Sequence, residues 1–144
     1  MRTILFLFLT GGLLGAADYR PGPDAQRRDG VPRGKVIQGA WNDCKAFPGT
    51  TRSYWVYIPT QYDPKLPANL MVFQDGGGFV RESGHTRVPI VFDNLIHRKE
   101  LPVTIGLFVN PGIVPGAEPG NQPRRNRAFE YDTVSADYAN FIID

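Results

Sequence analysis

The sequence predicts an α/β fold. A continuous apolar run, "LMVF" at residues 70–73, and a largely apolar stretch, "VTIGLFV" at 103–109, flank a segment whose apolar residues recur at helical spacing. A strand, a helix and a strand in that order form a parallel pair joined by a right-handed crossover. A continuous apolar run is also what a strand covered on both faces requires.

The chain has 144 residues. Arg2 is followed by an apolar run over 4–14, then by the small residues Gly15, Ala16 and Ala17. This is the pattern of a cleaved secretory signal over 1–17, too short to span a bilayer. The remainder suffices for one modest core and not for two domains. A formal charge of +2 points neither to a nucleic-acid partner nor to an acidic tail. No later segment is long and apolar enough for a membrane span, so no membrane partner is expected after cleavage. Cys44 is the single cysteine, hence no internal disulfide can form, and it reads as a small packing residue.

Residues 18–34 are rich in Pro, Gly and charge, and read as a flexible leader. From Lys35 the texture changes. "KVIQGAW" (35–41) makes a short strand, and "SYWVYIP" (53–59) a stronger one, rich in aromatic and β-branched residues and stopped by proline. Val88, Val91, Phe92, Leu95 and Ile96 form one face of a helix, with Pro89 in its first turn and Pro102 beyond its end. Asn110-Pro111-Gly112 closes the strand at 103–109. Val134, Tyr138, Phe141 and Ile142 predict a last helix, capped by Asp132 or Thr133. That helix leads into no further strand before Asp144, the look of a severed fold.

The chemistry centres on "FQDGGGF" (73–79), where a strand stops at Asp75 and three glycines follow. Ligands of open α/β sheets gather beyond the carboxyl ends of the strands, and a glycine-rich turn bares backbone N–H groups there. Phosphate binding would need G-x-G-x-x-G or G-x-x-x-x-G-K-[ST], and neither is present. Two readings stay open, a sharp strand-to-helix turn and an oxyanion site. Ser83 and His85 lie close in sequence but lack the G-x-S-x-G setting of a strained nucleophile, so Ser83 reads as a loop serine. Ser53 lies inside a strand, and Ser135 suits a helix cap. His97, beside Arg98 and Lys99, suits a helix C-terminus. With two histidines and one cysteine, no metal-ligand spacing occurs and no cofactor is implied. The basic patch at Arg124, Arg125 and Arg127 is followed by Glu130, Tyr131 and Asp132; it reads as a salt-bridged loop or as a holder of an anionic or phenolic group.

Four stretches taken together resemble one family: "RSYWVYIP" (52–59), "NLMVFQDGGGF" (69–79), "LPVTIGLFVNPG" (101–112) and "NRAFEYDTVSADYANFI" (126–142). In order and spacing they are similar to the putative esterase family of enterochelin esterases, feruloyl esterases and S-formylglutathione hydrolases, with the enterochelin-esterase-like branch fitting best. The resemblance spans residues 35–144 and implies the N-terminal part of an α/β-hydrolase sheet, mostly parallel, with helices on both faces. It implies a secreted or periplasmic carboxylic ester hydrolase acting on a small-molecule ester. The nucleophile, acid and base of such an enzyme have no counterpart here, so the chain reads as truncated before them, by roughly 100–150 residues, and no serine-esterase turnover is expected of it. What carries over is the Gly77 N–H, after Asp75-Gly76, as one oxyanion donor, and Asp75, Arg127 and Glu130 as substrate-binding residues. The alternative is a secreted non-catalytic carbohydrate-binding or interaction module that holds its ligand on Trp41, Trp55 and Tyr57. It requires those rings on one exposed face.

Overall fold

The computed structural model describes residues 20–116 and 122–143; the expected signal at 1–17 lies outside them. Four strands form the main sheet: β1 (Lys35–Trp41), β2 (Arg52–Ile58), β3 (Asn69–Gln74) and β4 (Thr104–Val109), in the spatial order β1-β2-β4-β3. Between β3 and β4 lie the one-turn helix α1 (Gly76–Phe79) and the helix α2 (Val88–His97). After β4 come a small ladder of β5 (Ile113–Val114) with β6 (Arg124–Arg125), then α3 (Arg127–Asp132) and α4 (Asp137–Ile143).

The expected parallel pair is present, with Phe73 opposite Phe108 in its register. The expectation of a mostly parallel sheet is corrected. β1 pairs antiparallel with β2, and β2 antiparallel with β4, so only the crossover through α2 generates a parallel pair. β3 is also not covered on both faces. Among the described residues it pairs with β4 alone, and Leu70 and Met71 are exposed.

Strand alternation divides the core in two. On one face, Tyr57 and Phe108 meet Val88, Phe92 and Ile96 of α2, and the Phe73 ring stacks on Phe108 with centroids 4.7 Å apart. On the other, Val109 packs with Cys44, Phe47 and Phe141 of α4. Helices therefore cover both faces, and Cys44 is a buried packing residue. α2 stops where Lys99 turns left-handed at φ 60°. The last helix was expected to include Val134. Instead Val134 is fully exposed in the connection between α3 and α4. The Thr133 hydroxyl closes α3 by donating to the Phe129 carbonyl, and the Ser135 hydroxyl oxygen accepts from the Asp137 N–H at the start of α4.

The segment before β1, expected to be flexible, is bound to α2. The Asn94 amide donates to the carbonyls of Asp24 and Gln26 at 2.8 and 2.9 Å, and Arg27 pairs with buried Asp93. Asp93 also accepts from the Gly34 N–H and from the Tyr57 hydroxyl at 2.7 Å. Burial, with the Asp93 bond added, raises the Tyr57 pKa, so the phenol stays a donor. Tyr57→Phe removes that donor from a buried carboxylate and is expected to cost about 1–3 kcal/mol. Urea unfolding measures it; a loss below about 0.5 kcal/mol would mean the carboxylate is satisfied without the hydroxyl.

The candidate site at the carboxyl ends of β3 and β4

The glycine stretch forms the single helical turn α1 directly after β3, and its residues are set by close approach to β4. Gly76 is buried against the β4 backbone, with no room for a Cβ: an ideal one would lie 2.4 Å from the Phe108 carbonyl carbon. Asp75, just before, adopts the left-handed conformation (φ 54°, ψ 37°) that few non-glycine residues hold without help. Help comes from α3. Arg127 grips the Asp75 carboxylate through Nε at 3.0 and 3.1 Å and Nη2 at 2.7 Å, and the Tyr131 hydroxyl accepts the Asp75 N–H at 3.3 Å. The Arg127 guanidinium also lies over the Tyr131 ring, 5.1 Å from its centroid. The bond to Asp75 raises the Arg127 pKa further, and burial raises that of Tyr131.

Gly77 has its N–H at the carboxyl edge of the sheet, free of its own turn. It donates to Asn110 Oδ1 at 2.9 Å, across the gap between the ends of β3 and β4. The Gly78 N–H, by contrast, is used inside the turn, by the Asp75 carbonyl. Gly77 and Asn110 line a cleft of about 440 Å³ together with Ser53, Asp75, Arg81, Arg125 and Arg127. Ser53 follows Arg52 on β2 and its carbonyl accepts the Asn110 N–H, which anchors the residue that meets Gly77. Ser83 and His85 do not line this cleft.

Glu130 is placed elsewhere. Its side chain and that of Arg52 are wholly buried, joined by two bonds of 2.8 and 3.1 Å. The Glu130 carboxylate also accepts from the Gly112 N–H and the Asn126 amide. No part of Glu130 faces the cleft, so its expected contact with substrate gives way to a structural ion pair. Of the residues singled out from the sequence, the fold brings Asp75, Gly77 and Arg127 to one cleft, keeps Gly76 as its packing support and sends Glu130 inward. Asn110, Ser53 and Arg81 were missed as members. For Asn110 a signal existed, since it follows a buried strand at the sheet's carboxyl edge, where loop residues gather.

A larger concavity, of about 700 Å³, runs beside β3 and α4 and is mainly apolar, with Phe73, Phe79, Tyr138 and Ile142 in its lining. The aromatic platform of a binding module is not assembled. Trp41 lies opposite Arg52 in the β1–β2 register and packs on Phe141, whereas Tyr57 is fully buried on the α2 side. Among the described residues, no helix is long and apolar enough to cross a membrane.

No family model matches the chain, and no curated protein sequence matches it. Solved structures do. A CE1 ferulic acid esterase from Anaeromyces mucronatus is 16% identical over 85% of this chain; its substrate-free structure superposes with a TM-score of 0.54, and its complex with ferulic acid with 0.53. A protein designated FAE is 21% identical over 81% of this chain, with a TM-score of 0.51. The chain spans 40–44% of the length of these neighbours. At such identities the likeness is one of fold: this is a mixed α/β chain whose fold matches part of these solved structures.

Proposed function

We propose that this architecture is the oxyanion-donating part of a secreted or periplasmic carboxylic ester hydrolase. One observation carries the reading: the Gly77 N–H already holds a carbonyl-type oxygen, Asn110 Oδ1, in a cleft at the carboxyl ends of the sheet. An ester carbonyl oxygen in that place would gain negative charge as a nucleophile attacks its carbon, and a fixed N–H strengthens its bond as the charge develops. One such donor is typically worth about 3–4 kcal/mol in the transition state. Asp75, locked by Arg127 and Tyr131, fixes the entry to the turn, and Gly76 fixes its distance from β4, so the donor is held before substrate arrives. The remaining chemistry, serine attack and hydrolysis of the acyl-enzyme, needs a nucleophile with a basic partner. Ser53 lines the cleft, but no histidine does.

Substrate entry at Gly77 displaces Asn110, which sets the test. With 15N-labelled protein, the neutral diester dimethyl succinate is expected to shift the Gly77 amide resonance. Asn110→Ala, which removes the internal competitor, is expected to tighten binding about fivefold, the worth of one net hydrogen bond. A Gly77 resonance indifferent to the ester in both proteins would exclude the amide as a carbonyl-binding group.

A further inference from the structure

The cleft around Gly77 has an unbalanced charge that the ester reading alone does not explain. Arg52 is matched by Glu130, and Arg127 by Asp75. Arg81, just beyond α1, and Arg125, on β6, line the same cleft with no acidic partner among the described residues. The acidic group lining the cleft is Asp75, already bonded to Arg127. Arg81 and Arg125 are both exposed and line one concavity of about 440 Å³, so the cleft presents more positive than negative charge among the described residues, and a planar guanidinium suits a carboxylate in two-point contact.

From this we infer that the cleft selects esters bearing a carboxylate close to the reacting carbonyl, with Arg81 and Arg125 as the groups that read the charge. The inference rests on the ester reading of Gly77 and deepens it: the N–H takes the carbonyl oxygen, and the two arginines take the free carboxylate of a half-ester. Hydrolysis of such a substrate would release a dicarboxylate and an alcohol, with water supplying the hydroxyl and the proton. Ser53 and Asn110 would separate the two recognition points across the cleft.

The experiment compares monomethyl succinate with dimethyl succinate on the full 144-residue chain by amide chemical-shift titration. At low salt the half-ester is expected to bind at least fivefold tighter, and the preference should collapse at 0.5 M sodium chloride. In Arg81→Gln/Arg125→Gln, both changes lying at exposed positions, the two esters should bind alike. Equal affinity in the wild-type protein, with the Gly77 resonance still moving, would overturn the charge selection and leave the ester reading standing. Half-ester binding that leaves Gly77 unmoved would remove the ester reading while keeping an anion site. A preference that persists unchanged in high salt would also overturn the role of the arginines, without reliance on how the variant folds.

Discussion

Arg52→Ala is expected to lower the unfolding free energy by about 3–5 kcal/mol, the loss seen when one partner of a buried ion pair is removed. The size follows from what is left behind. Both side chains are fully covered, so Glu130 would keep its carboxylate in the interior with only the Gly112 and Asn126 donors. Arg52 also has its guanidinium 4.5 Å from the Phe141 ring centroid and bonded to the Thr50 hydroxyl, so packing against α4 is lost along with charge. A domain of this size has roughly 5–15 kcal/mol in total, so the loss removes a large share of its stability. Glu130→Ala should cost about as much. Replacing both by apolar residues of similar length, Arg52→Met with Glu130→Leu, should recover a large part of the loss, because no charge remains to desolvate. Urea unfolding of all four proteins measures these differences. If Arg52→Ala costs less than about 1 kcal/mol, water reaches Glu130 and the pair is not the buried clamp described.

The same pair shows where the sequence could be read and where it could not. The residues that make strands announced themselves, since alternation in "SYWVYI" and the largely apolar stretch at 103–109 depend only on neighbours. Contacts across long loops leave no such trace. Glu130 was expected to meet substrate because, with Arg127, it matches the Arg-x-x-Glu pair of the family the sequence resembles, yet its partner is Arg52, on β2. The direction of β1 and β2 was equally hidden: apolar alternation is the same whichever way a strand runs, and only connection length constrains the choice. The segment before β1 was misjudged from its own composition, while the information lay on α2. Asp93 and Asn94 interrupt an apolar helix and are both buried, and polar groups in such a place need partners. Those partners are Arg27, Gly34 and the carbonyls of Asp24 and Gln26. What could be read was the cleft's base, because Asp75 and the glycines form one local run whose chemistry is backbone chemistry.

Three adjacent glycines invite the view that flexibility is the point, and substitution by alanine separates that view from the packing account. At Gly76 an added Cβ would sit 2.4 Å from the Phe108 carbonyl carbon and 2.5 Å from the Val109 nitrogen, backbone atoms of a central strand that cannot rotate aside. Gly76→Ala is therefore expected to cost about 3 kcal/mol, at the upper end for overpacking. At Gly77 the nearest atoms are the Asn110 amide, at 3.2 and 3.3 Å, and the edge of Trp55, so a small side-chain adjustment suffices and the loss should stay near 1 kcal/mol or less. At Gly78 nothing lies within 4 Å, and since alanine suits a helical turn better, Gly78→Ala should be neutral or stabilising by up to about 1 kcal/mol. Thermal and urea melts give this ranking directly. The three residues would then differ in kind: Gly76 brings the turn against β4, Gly77 presents its amide to Asn110, and Gly78 is replaceable. Equal losses at all three would show that the turn needs only backbone freedom, and the Gly77 amide would lose the rigid support on which its role as a donor depends.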